Sequence, residues 1–177
     1  MKITLDQLLA IMPRCPRLRA EQLLPHFHAA CAEFEINTPR RVAAFIAQLA
    51  LESAEWRHFE ELASGDAYEG RKDLGNTQSG DGKRYKGRGP IQLTGRANYR
   101  LAGAALGLDL EGNPRRASDA DVGFRVAGWY WQTRGLNALA DAGPARFDEI
   151  TRKINGGLNG KAQRDRYYAS ACKVLGC

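Results

Sequence analysis

Apolar residues recur at intervals of three and four along most of the chain, the spacing of helices that bury one face. Thr4 stands three residues before Gln7 and forms a capping box for the run "LDQLLAIM". Pro16 and Pro25 punctuate the segment that follows, and a helix is expected in "HFHAACAEFEI", where Phe27, Ala30, Cys31 and Phe34 share a face. Thr38-Pro39 supplies a cap and a first-turn proline for "RRVAAFIAQLALESAEW". Farther on, "GRANYRLAGAALGL", "SDADVGFRVAGWYWQTRG", "PARFDEITRKI" and "GKAQRDRYYASACKVLG" read as helices that end at or near glycine.

Between these helices lies one long irregular stretch, 63–90, rich in Gly, Asp, Lys and Arg. A loop of that length inside a compact domain is uncommon and usually functional. With no repeat, low-complexity tract or linker, residues 1–177 read as one mainly α domain, large enough to bury a core without staples.

Composition then removes several classes of function. The four cysteines, Cys15, Cys31, Cys172 and Cys177, are scattered and make no zinc spacing, and His26 and His28 lie two apart on different helix faces, so neither a metal nor a cofactor is expected. No apolar run approaches the roughly 18 residues that cross a membrane, and Asp6 and Gln7 break the short one near the start. The expectation is a chain made in the cytosol, with no stable membrane association and no obligate partner, hence a monomer. Its net charge of +6 attracts acidic partners and says nothing finer.

The chemistry shows where the helical pattern is broken. Val42, Phe45, Ile46, Leu49 and Trp56 form an apolar stripe, and Glu52 falls on it, three residues after Leu49 and four before Trp56. Two readings stay open: a glutamate at a helix end that reaches solvent or pairs with an arginine, or a carboxyl that apolar surroundings keep protonated and able to give its proton away. The second needs another carboxylate nearby. Glu61, in "RHFEELASG", would sit about 13 Å of rise beyond Glu52 on a continuous helix, so the two approach only if the chain turns after Trp56. Carboxyls about 6.5–9.5 Å apart, with a water between them, are the arrangement of an inverting glycosidase.

Three ordered segments, "AQLALESAEWRHFEE", "YKGRGPIQLTGRANY" and "INGG" ahead of "RDRYYASACKVL", resemble glycoside hydrolase family 19, the chitinase fold, from about Ala44 to Leu175. The resemblance is nearest to the small phage and prophage endolysins of that family, and it implies a lysozyme-like architecture with a substrate cleft. It implies that Glu52 is the general acid and Glu61, nine residues later, the base. It further implies that Thr94 holds the attacking water and that Gln92, Asn98 and Asn155 bind substrate. Leu51 stands where many members have histidine, and Ala54-Glu55 replaces Gly-Gly in the motif H-E-[ST]-G-G. Glu55 and Glu60 match no catalytic position of the family, and Glu69 in "AYEGR" is a reserve candidate for the base.

The stretch from Lys83 to Tyr99, "KRYKGRGPIQLTGRANY", fits a sugar cleft better than its two rivals. Gly87 and Gly89 permit a backbone that passes close to other chain or ligand. Gln92 and Thr94 offer neutral hydrogen-bonding groups suited to hydroxyls and acetamides, and Tyr85 is a candidate substrate contact. A phosphate loop would read G-x-x-x-x-G-K-[ST], and no nucleic-acid signature accompanies the charge. Of Trp129, Tyr130 and Trp131, one is expected in the core and another in the cleft as a sugar platform. Tyr167 and Tyr168 read as packing, and Arg164 and Arg166 either as a solvated face or as a partner for a catalytic carboxylate.

Together these features predict hydrolysis of β-1,4 bonds in an N-acetylglucosamine polymer, with inversion and without a cofactor. Peptidoglycan is the expected substrate, in an endolysin acting at the periplasmic wall after release; chitin is the alternative, and a non-catalytic glycan-binding module a second one.

Overall fold

The computed structural model describes all of residues 1–177 and is mainly helical, with almost no strand. In chain order these are α1 (Leu5–Ile11), α2 (Arg17–Glu33), α3 (Pro39–Glu52), α4 (Asp81–Arg84), α5 (Arg96–Leu106), α6 (Ala120–Thr133), α7 (Leu136–Asp141), α8 (Phe147–Asn155) and α9 (Lys161–Leu175), with short 3₁₀ turns between some of them. The Thr4–Gln7 capping box forms as expected, and Thr38 accepts a hydrogen bond from the Arg41 N–H, with Pro39 in the first turn.

One hydrophobic cluster runs through the chain from Ile3 to Ala171. Helix α3 is its axis: every residue from Val42 to Ala50 is buried, and α9 packs along it. Phe27, Phe45, Trp56, Phe59, Phe124 and Trp131 interlock around it with ring centroids 5.0–5.9 Å apart, mostly edge-on or tilted. An α3 buried on nearly all sides also explains why a purely amphipathic reading understates it.

Two sequence expectations change here. The segment around Pro25 is not a new helix; α2 runs unbroken through it. Pro25 forfeits one backbone donor, and the buried Ala20, Leu23, Phe27, Ala30 and Cys31 on both sides of it hold the helix together. The helix predicted to reach Trp56 stops at Glu52. Cys172 and Cys177, scattered in sequence, bring their sulfurs to 3.1 Å at the end of α9.

Residues 63–90 form a closely tied flap. The side chain of Asn76, fully buried, donates to the Tyr68 carbonyl and accepts from the Arg96 N–H. Asp81 takes the Arg96 guanidinium and the N–H groups of Thr77 and Gln78. Glu69, the reserve candidate for the base, accepts from the N–H groups of Gly80 and Gly82 and serves this loop instead.

Candidate active site

The chain reverses just after Glu52, four residues earlier than the sequence suggests, and by an uncommon route. Ala54, Glu55 and Trp56 all adopt left-handed backbone, with φ of 51°, 61° and 62°. For residues with a Cβ this costs about 1–2 kcal/mol each. Hydrogen bonds fix the turn from every side: Ser53 Oγ donates to the Leu49 carbonyl and accepts from the Trp56 N–H, while the Glu55 N–H donates to the Ala50 carbonyl. The Glu55 side chain, only 1% exposed, accepts from the Arg14 N–H, from Arg14 Nε and from the Tyr167 hydroxyl at 2.6–2.7 Å.

The turn sends Phe59–Glu61 back beside the "GRG" loop. Glu60 pairs with Arg88 in an antiparallel bridge, the Glu61 N–H donates to the Gly87 carbonyl, and Arg88 pairs in turn with Leu93. This miniature ladder is the only β-like structure in the fold, and it fixes Glu61. One Glu61 oxygen accepts from the Tyr68 hydroxyl at 2.9 Å and the other from the Gly87 N–H at 3.0 Å. Lys86 Nζ caps the carbonyl of Glu61 from behind.

Glu52 and Glu61 line one cavity of about 330 Å³ with Ser53, Ala54, His58 and Gln92. Gln92 also borders a second cavity of about 300 Å³, lined by Tyr68, Thr94, Asn98, Tyr130 and Asn155. The two share the wall residue Gln92, itself in left-handed backbone at φ 54°, and form the two parts of the cleft. Thr94 Oγ donates to the Gln92 carbonyl, and Asn98 donates its amide N–H to the Thr94 carbonyl, which turns the Asn98 oxygen free. Asn155 Oδ1 is buried and without a partner, a spare acceptor at the cleft wall.

The surroundings of Glu52 differ from the expected apolar pocket. Arg164, 2% exposed, places its guanidinium against Glu52 Oε1, donates to Gln48 Oε1, and reaches the Asn159 carbonyl. Gln48 is held by Thr151 Oγ at 2.9 Å. A chain of buried polar groups from α8 through α3 to α9 therefore orients one oxygen of Glu52 and leaves the other for the cleft. Arg166 is exposed and makes no ion pair, so the two arginines divide between the two readings.

Tyr85 is not a cleft residue. It is 1% exposed, lies 5.4 Å from the Tyr99 ring, donates its hydroxyl to the Glu111 carbonyl and is covered by Arg84 and Arg96. Its aromatic area is spent on the core of the loop region. Trp131 is buried, and Tyr130 faces the cleft as the aromatic partner. Tyr168 stacks on Phe147 at 4.2 Å, and Tyr167 is a clamp on Glu55. Sequence reasoning missed Tyr68, the hydroxyl that orients Glu61; an isolated tyrosine in an irregular loop carries no spacing signal.

A residue-level match to the chitinase class I family of glycoside hydrolases covers residues 18–142. The chain belongs to glycoside hydrolase family 19. It is 37% identical over 150 residues to acidic endochitinase SP2 of Beta vulgaris, covering 79% of this chain and 51% of that protein. It is 36% identical over 118 residues to a glycosyl hydrolase family 19 domain-containing protein of Haemophilus influenzae, 67% of this chain and 56% of that one. It thus spans about half the length of the curated relatives it matches. Among solved structures, chitinase C of Streptomyces griseus superposes with a TM-score of 0.76 at 28% identity, covering 98% of this chain and 76% of that one. A bacterial family 19 chitinase superposes with 0.75 at 27% identity, covering 98% of this chain and 95% of that one. The lysozyme-like, mainly helical fold of the family matches 98% of this chain.

Gly87 packs directly against three residues of this family 19 cleft. A Cβ there would lie 2.7 Å from Gln92 Oε1, 3.1 Å from Glu61 Oε2 and 3.4 Å from Thr94 Oγ. Gly87→Ala is expected to displace the Glu61 carboxylate and lower kcat/KM about 10²-fold, the usual scale for an ångström-sized misplacement. The melting temperature should move by only a few degrees, since the φ of Gly87 is one that alanine tolerates. Steady-state rates near wild type in a folded Gly87→Ala protein would show that the carboxylate is not held as described.

Proposed function

We propose that the chain hydrolyses β-1,4 bonds of N-acetylglucosamine-containing glycans with inversion, Glu52 as acid and Glu61 as base. The observation that carries this reading is the shared cavity: two carboxylates from opposite sides of one turn, separated by open volume and flanked by neutral amide and hydroxyl groups. Glu52 gives its proton to the leaving oxygen through the oxygen that Arg164 does not hold. Glu61, oriented by Tyr68 and Gly87, takes a proton from a water that Thr94 and Gln92 help to place. Asn98 supplies an acceptor to substrate N–H or hydroxyl groups, and Asn155 lines the same cavity beside it.

Peptidoglycan is the substrate we favour. Its lactyl-peptide carboxylates match a chain of net charge +6, whereas chitin is uncharged. In that reading the protein is an endolysin, released from the host cytoplasm onto the periplasmic wall. Chitin is the second reading, favoured by the endochitinase names of the relatives. A parallel assay on outer-membrane-stripped Gram-negative cells and on chitin oligosaccharides, with products identified by mass, separates the two. Clearing of cells with muropeptide products, weakened as salt rises, is expected. Efficient chitin cleavage with intact walls would assign the chain to chitin, and binding without new reducing ends would leave a glycan-binding module.

A further inference from the structure

A second depression, of about 690 Å³, lies between residues 78–84 of the flap and residues 112–115, and its lining contains no hydrophobic residue. Five cations border it, Lys83, Arg84, Arg88, Arg96 and Arg115, against one carboxylate, Asp81. That carboxylate is already consumed: its side chain is 2% exposed, and both oxygens are taken by Arg96 and two backbone N–H groups. Arg88 and Arg96 have carboxylate partners, but Arg84 and Arg115 have none. Arg84 donates only to the Glu111 and Gly112 carbonyls and the Tyr85 hydroxyl. Arg115 is exposed and has neither an ion pair nor a hydrogen bond, and Lys83 meets Asp66 only at 3.3 Å with both side chains about two-thirds exposed.

Arg88 is the most telling member. It is 4% exposed, shares Glu60 with Lys86 at 3.3 Å, and keeps a buried Nε–H without any partner. A buried guanidinium with a spare donor, beside two further guanidinium groups that face no carboxylate, is the chemistry that recognises a compact, multiply charged oxyanion. The frame is rigid beforehand. Arg96 and Arg100 clamp Glu111, and Arg84 and Arg96 cover the Tyr85 ring at 5.6 and 4.9 Å, so few side chains need ordering on binding.

We infer that this groove is a binding site for a phosphate group, separate from the glycan cleft, with Arg84, Arg88 and Arg115 as its donors. The phosphate is either soluble or the headgroup of an anionic lipid. The reading does not depend on the glycosidase assignment. Its test is calorimetric titration with pyrophosphate, beside co-sedimentation with phosphatidylglycerol-containing vesicles, both at about 0.15 M salt where diffuse attraction is screened. The proteins are wild type, Arg84→Ala/Arg115→Ala, and Arg152→Ala/Arg166→Ala, which removes equal charge from exposed positions elsewhere. The groove variant is expected to bind at least tenfold more weakly, with a melting temperature within a few degrees of wild type, because Arg84 also ties the loop, and with unchanged glycan hydrolysis, while the control variant binds like wild type. Pyrophosphate binding with that pattern identifies a soluble ligand, and vesicle binding alone with that pattern identifies a headgroup. If neither probe binds, or both variants bind alike, the inference fails.

Discussion

Glu52→Gln is expected to lower glycan hydrolysis about 10³-fold, within the range that a positioned general acid contributes, while the protein stays folded. The amide keeps an oxygen that can accept from Arg164, and Gln48 and Asn159 still take that guanidinium. What disappears is the transferable proton. Because the amide keeps a hydrogen-bond acceptor for a guanidinium that is 2% exposed, the melting temperature should stay within a few degrees of wild type. Reducing-end release and circular dichroism on the same preparation separate the two effects. A folded Glu52→Gln protein with near wild-type turnover would remove Glu52 from its role and with it the two-carboxylate mechanism.

How much of this site could be read from the chain depends on the kind of signal each residue leaves. Glu52 was visible because an acid interrupts an apolar stripe of period 3.6, but the same stripe continued to Trp56 and hid the fact that the helix ends at Glu52. Glu61 was visible only through the family resemblance, because its approach depends on a turn that no spacing rule anticipates. The left-handed run at 54–56 uses Ala, Glu and Trp, three residues that local propensity would not place there. Tyr85 failed for a related reason. An aromatic beside cations and glycines reads alike whether it faces ligand or is sandwiched by those cations, and here Arg84 and Arg96 cover it. Arg164 lay undecided between surface and site because its partners, Gln48 and Glu52, are more than a hundred residues away in sequence. Continuity of α2 through Pro25 was likewise a matter of tertiary packing overriding a local breaker.

The strained turn gives the second large expectation, at Glu55. The family motif carries Gly-Gly at positions 54 and 55, residues for which positive φ is nearly free; this chain carries Ala54-Glu55 at φ of 51° and 61° and anchors the second through its carboxylate. Glu55→Ala removes the anchor and keeps the strain. Loss of hydrogen bonds to a buried charged group should cost about 2–3 kcal/mol, moderated because Arg14 is 65% exposed and regains water. Glu55→Gly removes the anchor and the strain together, and should recover about 1–2 kcal/mol of that loss. Denaturant midpoints for the three proteins test the ordering wild type, then Gly, then Ala; an alanine variant as stable as wild type would mean that the carboxylate does not hold the turn. Activity should fall with the alanine change beyond what unfolding explains, since the turn delivers Glu61 to the cleft. The pH dependence supplies an independent sign. Burial opposes ionisation of Glu55, but hydrogen bonds from Tyr167 and Arg14 outweigh it and hold its pKa below the ordinary glutamate value of 4.5. A carboxylate so depressed contributes stability that is full above that ordinary value and is lost as pH falls through the lower, folded one. The stability gap between wild type and Glu55→Gln should therefore be constant near neutrality and narrow only below about pH 4.5. A gap that widens on acidification would contradict the ionised, hydrogen-bonded anchor.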